Sequence, residues 1–159
     1  MTTQGIQTIL IAGGDGLVGK HLLSHIDTSK YRIIILSRKK KISSQDGVEY
    51  ACWNTDNKTM DNIPSPHHII NLAGAGIADQ RWTAKRKKDI INSRVNSAET
   101  IRMYLERHNV RPITYISASG VGYYGNRGEE HLNESSGPGS GFLPECCISW
   151  ENTSKLAGN

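Results

Sequence analysis

At 159 residues, with 36% hydrophobic and 21% charged residues and neither repeats nor low-complexity tracts, the chain can bury one core without a disulfide or metal staple. This excludes the disordered and fibrous classes. The net charge of +4 rests largely on two runs, Arg38-Lys39-Lys40-Lys41 and Lys85-Arg86-Lys87-Lys88, which suit phosphate-bearing partners, small or polymeric. No apolar run approaches a membrane span, and MTTQGIQTIL lacks the basic start and separate apolar segment of a cleavable signal, so a cytoplasmic protein is expected. Cys52 and the adjacent Cys146 and Cys147 fit no disulfide framework or metal pair, and reduced thiols are expected.

In chain order, Thr8–Ala12 (TILIA) reads as a buried strand, Leu17–Ile26 as a helix, and Tyr31–Ser37 (YRIIILS) and Val48–Trp53 as two further strands. After the breaker Pro64-Ser65-Pro66, His68–Leu72 (HIINL) is the fourth strand. Thr83 is placed to N-cap a long helix reaching His108, along which Ile90, Ile91, Val95, Ala98, Ile101 and Leu105 recur at spacings of three and four. Ile113–Ser119 (ITYISAS) is a fifth strand, residues 120–141, with seven glycines and one proline, form a long loop, and another helix begins near Phe142. Strands alternating with helices predict an α/β fold: a doubly wound parallel sheet of the Rossmann type, in one domain over 1–159. A sixth strand and a substrate-binding part are expected beyond Asn159.

Gly13, Gly14, Gly16 and Gly19 punctuate IAGGDGLVGKHLL between the first strand and the first helix. In a G-x-x-G-x-x-G turn of this kind the first glycine permits the tight turn, the second lets backbone approach a pyrophosphate, and the third lets helix and strand pack closely. The N-terminal turn of the helix, with Leu17 and Val18, then offers N–H groups to phosphates. Asp15 opposes this, because a carboxylate near a pyrophosphate weakens binding unless it turns outward or caps local N–H groups. The second strand ends in Ser37 and Arg38 where a cofactor specific for NAD needs an acid, and no acid follows until Asp46; NADP is therefore expected in preference to NAD.

His21 and His25, spaced i, i+4, and the pair His67-His68 lack further ligands, so no metal is expected. Lys85 to Lys88 and Trp82 come with no nucleic-acid-binding motif, so no nucleic-acid partner is expected, and no membrane partner either.

GGDGLVGK, LSR, INLAGAGIADQRW, KKDIINSRV, ISASGVGYYG, GFLPE and CCISWE follow one another in an order that resembles the NADP-binding epimerase-like family of atypical extended short-chain dehydrogenases/reductases, within the NAD-dependent epimerase/dehydratase family. The resemblance covers the cofactor half of that family. It implies that Leu72, Ala73 and Gly74 lie along the cofactor's ribose and pyrophosphate, and that Asp89 and Arg94 on the long helix face the cofactor. It also implies a dimeric four-helix interface built by the long helix and the one after the fifth strand; a homodimer is left open, because that second helix runs to the end of the chain.

Such enzymes use a serine after the fifth strand and a Tyr-x-x-x-Lys pair in which the lysine lowers the tyrosine pKa for general acid–base work. Ser119 matches the serine, but the helical frame reads Cys147-x-x-x-Glu151, and a carboxylate raises rather than lowers a neighbouring acid's pKa. Tyr123, beside Tyr124 on the glycine-rich loop, is the nearby phenol that can stand in as the acid; packing is the competing reading for both tyrosines, as it is for Cys146 and Cys147. Two functions are therefore expected. One is the NADP(H)-binding domain of an epimerase or oxidoreductase acting on an unidentified small molecule, of which a sugar nucleotide is one candidate. The other is a non-catalytic NADP(H)-sensing or protein-interaction module. For this chain alone, binding without turnover is the expected behaviour.

Overall fold

The structure, a computed structural model, describes residues 5–157, with the backbone only at residue 156. Its strands are β1 (Gln7–Ala12), β2 (Tyr31–Ser37), β3 (Val48–Asn54), β4 (Thr59–Met60), β5 (His68–Asn71) and β6 (Thr114–Ser117). The helices are α1 (Leu17–Leu23), α2 (Ala84–Arg107) and α3 (Phe142–Ala157), with a single 3-10 turn at Val121–Tyr124. The sheet runs β4-β3-β2-β1-β5-β6, and every pairing except β3 with β4 is parallel. The five expected strands and their doubly wound order are therefore present.

Both faces of this sheet are covered, so its central strands are apolar at consecutive positions and not only at alternate ones. The pleat divides them. Leu10, Ala12, Ile34, Leu36, Ala51, Trp53 and Ile69 form one core cluster with Ile101 and Leu105 of α2. Ile9, Ile11, Ile33, Ile35 and Val48 form the other, against Leu22 and Leu23 of α1 and Ile26 beyond it. The parallel register sets Leu10 beside Ile34 and Ile69, which keeps each apolar row on its own side.

α2 begins as its sequence indicates: Thr83 is the N-cap and its hydroxyl accepts from the Arg86 N–H at 3.2 Å. Ile90, Ala98, Ile101 and Leu105 are buried, while Ile91 and Val95 are half-buried at the edge of the stripe. α1 stops at Leu23, short of the expected Ile26. The His21 carbonyl is taken by the Ser24 hydroxyl at 2.7 Å and by the His25 ring at 2.8 Å. Asp27 then opens a turn by accepting from the Ser29 N–H and hydroxyl, which competes with helix continuation.

The strand β4 is absent from the sequence reading. Asn54 closes the preceding turn by accepting from the Asp56 and Asn57 N–H groups, and Lys58 takes a left-handed conformation with φ 54°. A two-residue strand has too little pattern to be recognised. β5 ends at Asn71 and β6 covers Thr114–Ser117, each shorter than expected, because the chain turns into the segments that build the site.

Ile101 is fully buried between α2 and the sheet. Ile101→Ala should lower stability by about 2–5 kcal/mol through lost transfer energy and the cavity left behind. Urea unfolding should show a lower midpoint with an unchanged slope.

Candidate cofactor-binding cleft

Everything in the cleft depends on how closely the turn after β1 approaches the turn after β5. Gly13 has φ 82°, and a Cβ there would lie 2.8 Å from the carbonyl carbon of Leu72. A Cβ at Gly14 would meet the Ile35 side chain at 2.9 Å, and one at Gly19 would meet the Gly13 carbonyl oxygen at 2.5 Å. Gly13 and Gly19 thus perform the turning and close-packing tasks read from their spacing. Gly16 closes the turn by donating its N–H to the Gly13 carbonyl at 3.0 Å, and it N-caps α1 with no side-chain cap. Leu17 and Val18 are 90% and 64% exposed at that helix start.

A cleft of about 610 Å³ opens over the C-terminal ends of β3, β2, β1 and β5. Of the residues expected to bind a cofactor, Gly13, Ser37, Arg38, Ala73 and Gly74 line it. Ser37 is buried, with its oxygen accepting from the Lys39 N–H at 3.3 Å, whereas Arg38 is exposed and makes no hydrogen bond or ion pair among the described residues. Leu72 contributes its backbone over Gly13, and Gly14, Gly16, Leu17, Val18 and Gly19 shape the turn beside the cleft.

Asp89 and Arg94 do not line the cleft. Asp89 is exposed. Arg94 is half-buried, donates to the carbonyls of Ala75 and Ile90 at 3.0 Å each, and sits 5.0 Å over the Trp150 ring. It holds the segment after β5 instead of pointing into the cleft. Other side chains do the same work. Asn71, fully buried, accepts from the Ala73 N–H and donates to Ser97; Ser93 accepts from the Ala75 N–H; and Arg86 donates to the Gly76 carbonyl at 2.6 Å.

Asp15 does not stand alone in the glycine turn. Its carboxylate pairs with Lys41 at 2.5 Å and accepts from the Tyr50 hydroxyl at 3.0 Å. The Lys41 hydrogen bond holds the Asp15 carboxyl below the usual carboxylate range; partial burial opposes this and the Tyr50 bond adds to it. Lys41, read from the sequence as part of the basic run beside Arg38, is placed in this cleft against Asp15; the residues that the sequence reading missed there include Trp53 and Thr55 at the end of β3, and Ser93 on α2 beside Arg86. A rule that places ligands beyond the carboxyl ends of the strands would have drawn attention to Trp53.

A second recess, of about 400 Å³, lies beside β6 and is lined by Tyr115, Ser117, Ser119, Glu151, Ser154 and Lys155. Ser119 donates its hydroxyl to the Glu151 carboxylate. Ser117 and Ser154 share a hydrogen bond at 2.9 Å. Cys147 is buried with its thiol toward the Gly120 carbonyl; burial raises its pKa first, with Cys146 and Glu151 adding, so the thiol is protonated at neutral pH. Tyr123 and Tyr124 are half-buried and packed edge to face at 5.2 Å, and Tyr123 does not line this recess.

The sheet order, the glycine turn and the cleft at the strand ends define a Rossmann-type α/β domain. A family model described as "NAD dependent epimerase/dehydratase family" matches residues 9–142, and the chain belongs to that family. It is 32% identical over 145 residues, 90% of this chain and 48% of the relative, to the epimerase family protein YfhF of Bacillus subtilis. It is 29% identical over 151 residues, 94% of this chain and 48% of the relative, to the Mycobacterium bovis epimerase family protein Mb2239. The chain therefore spans about half the length of these curated relatives. Among solved structures, human epimerase family protein SDR39U1, determined with NADPH, superposes with a TM-score of 0.77 at 22% identity, covering 93% of this chain and 48% of that one. A nucleoside-diphosphate sugar epimerase from Corynebacterium glutamicum gives 0.68 at 31% identity, covering 95% and 31%. No helix among the described residues is long and apolar enough to cross a membrane.

The thiols provide a direct check on the packing of α3. Cys146 and Cys147 are buried with raised pKa values, and Cys52 is half-buried. A colorimetric thiol reagent at pH 7.5 should modify Cys52 first, with the other two reacting only after denaturant is added.

Proposed function

We propose that this chain is the NADP(H)-binding domain of an epimerase or oxidoreductase of the extended short-chain dehydrogenase type. The observation that carries the reading is the pairing of a glycine turn open to a 610 Å³ cleft with Arg38, a cation on the cleft wall that makes no hydrogen bond or ion pair among the described residues. The cleft suits a dinucleotide. Gly13 brings backbone to the cleft where a diphosphate would lie, the Ala73–Gly74 backbone flanks it, and Arg38 and Lys39 can grip a ribose phosphate in a way that a carboxylate at that place could not. A determined relative by fold was solved with NADPH, which agrees with this choice.

Hydride exchange with a substrate carbon is the chemistry such a cofactor supplies when bound. The residues of this chain would manage the substrate oxygen. Ser119 is exposed at the end of the sheet, and its oxygen can accept from a substrate hydroxyl while its own proton remains on the Glu151 side. The partner is proposed to be a small molecule, a sugar nucleotide being one candidate, and neither nucleic acid nor a membrane. A cytoplasmic setting belongs to the same proposal and rests on the free thiols.

A second reading, an NADP(H)-sensing or interaction module without turnover, is supported by one observation: the Ser119 hydroxyl is already engaged by a carboxylate, and the thiol at the expected tyrosine position is buried and protonated. For the chain by itself, binding without turnover is the expected behaviour.

Calorimetric titration should give saturable binding of NADP+ at least about tenfold tighter than NAD+, a difference of about 1.4 kcal/mol. Arg38→Asp should abolish or reverse that preference. A folded chain with no saturable heat for either dinucleotide would overturn the reading.

A further inference from the structure

The proposed function does not account for Asp15, a carboxylate in the turn that should receive phosphates. Both Asp15 and Lys41 line the cleft together with Gly13, Ser37, Arg38 and Lys39. They come from different connections: Asp15 follows β1, and Lys41 follows β2. Their ion pair therefore spans the end of β2, where Ser37 and Arg38 stand. Tyr50 on β3 fixes the pair from below, with its hydroxyl on one Asp15 oxygen at 3.0 Å and its ring 5.4 Å from the Lys41 ammonium. Each side chain of the pair keeps about two-fifths of its surface in contact with solvent, 41% for Asp15 and 42% for Lys41, so a bound polyanion would share their dielectric.

We propose that Lys41 is a charge-compensating residue of the cofactor site: it neutralises Asp15 so that the glycine turn can accept a polyanionic dinucleotide, and it does not itself grip a phosphate. The inference rests on the cofactor reading above. Asp15, Tyr50 and Lys41 together tie the first two connections across β2, and the phosphates are left to Arg38, Lys39 and the backbone. Without Lys41, the Asp15 carboxylate would face the incoming phosphates uncompensated, and affinity would fall. Without both charges the site would be neutral again at that point.

This arrangement has a signature that a direct phosphate ligand lacks. NADP+ and NAD+ are titrated calorimetrically into the unmodified chain, Asp15→Asn, Lys41→Gln and the double variant at low salt, with thermal unfolding run on each to show that it is folded. Lys41→Gln should weaken binding by about five- to tenfold, and the deficit should shrink as salt is raised. Asp15→Asn should not weaken binding, and the double variant should return to within about twofold of the unmodified chain. If Lys41→Gln costs as much in the Asp15→Asn background as in the unmodified one, Lys41 is a phosphate ligand and the proposal fails. It fails equally if Lys41→Gln changes nothing. An unmodified chain that binds neither dinucleotide overturns the cofactor reading itself, an outcome distinct from additive variants of a chain that binds.

Discussion

The rest of the structure depends on the absence of side chains where the turn after β1 passes beneath the turn after β5. Gly13 lies so close to the Leu72 backbone, and Gly19 so close to the Gly13 carbonyl, that any Cβ would force two chain segments apart. The two central strands that the cleft straddles, β1 and β5, are held in parallel register below this crossing, with Ala12 beside Asn71. Their apolar side chains anchor the crossing from beneath, because Leu10, Ile11 and Ile69 are completely buried. The opening at the sheet's C-terminal edge is thus a consequence of core packing combined with glycine.

A polar counterpart holds the other wall. The segment from Ala73 to Gly76 has no regular partner for its backbone groups, and α2 supplies them from Ser93, Arg94 and Arg86, with Asn71 contributing from the strand end. Buried polar groups are costly unless they are bonded, and these bonds are the reason an irregular segment can sit against a helix there. Gly74 belongs to the same device: a Cβ on it would lie 3.0 Å from the Arg94 guanidinium carbon. Arg94 thereby couples this wall to α3 through the Trp150 ring while its guanidinium holds the Ala75 carbonyl.

Much of the fold was legible because both of its periodicities are strong. The apolar runs of β1 and β2 and the three-four spacing on α2 encode burial directly, and Thr83 marks the start of α2 by its hydroxyl. Element ends were less legible, since the end of α1 is set by Ser24, His25 and Asp27 side chains competing for backbone, and β4 exists only through the turn that Asn54 closes. In the site, the residues that act through backbone geometry, Gly13 and Gly19, could be read from spacing alone. The Arg94–Ala75, Asp15–Lys41 and Ser119–Glu151 contacts could not, because each joins groups many residues apart whose meeting depends on the folded sheet.

The two recesses differ in electrostatic character: the first gathers cations, whereas the second sets Glu151 and Lys155 beside serine hydroxyls. In the first the cations Arg38, Lys39, Lys41 and Arg86 face two carboxylates, Asp15 paired with Lys41 and Asp79 paired with Arg86, so the site presents net positive charge to an anion. Beside β6 the Ser119 hydroxyl meets Glu151, close to a buried thiol that stays protonated. Burial raises the pKa of that thiol and the carboxylate adds to it, the reverse of a lysine that lowers a tyrosine pKa. The charge at position 151 is thus opposite to the one that activates a tyrosine in a Tyr-x-x-x-Lys frame, and the hydroxyl nearest to it, that of Ser119, is held by the carboxylate.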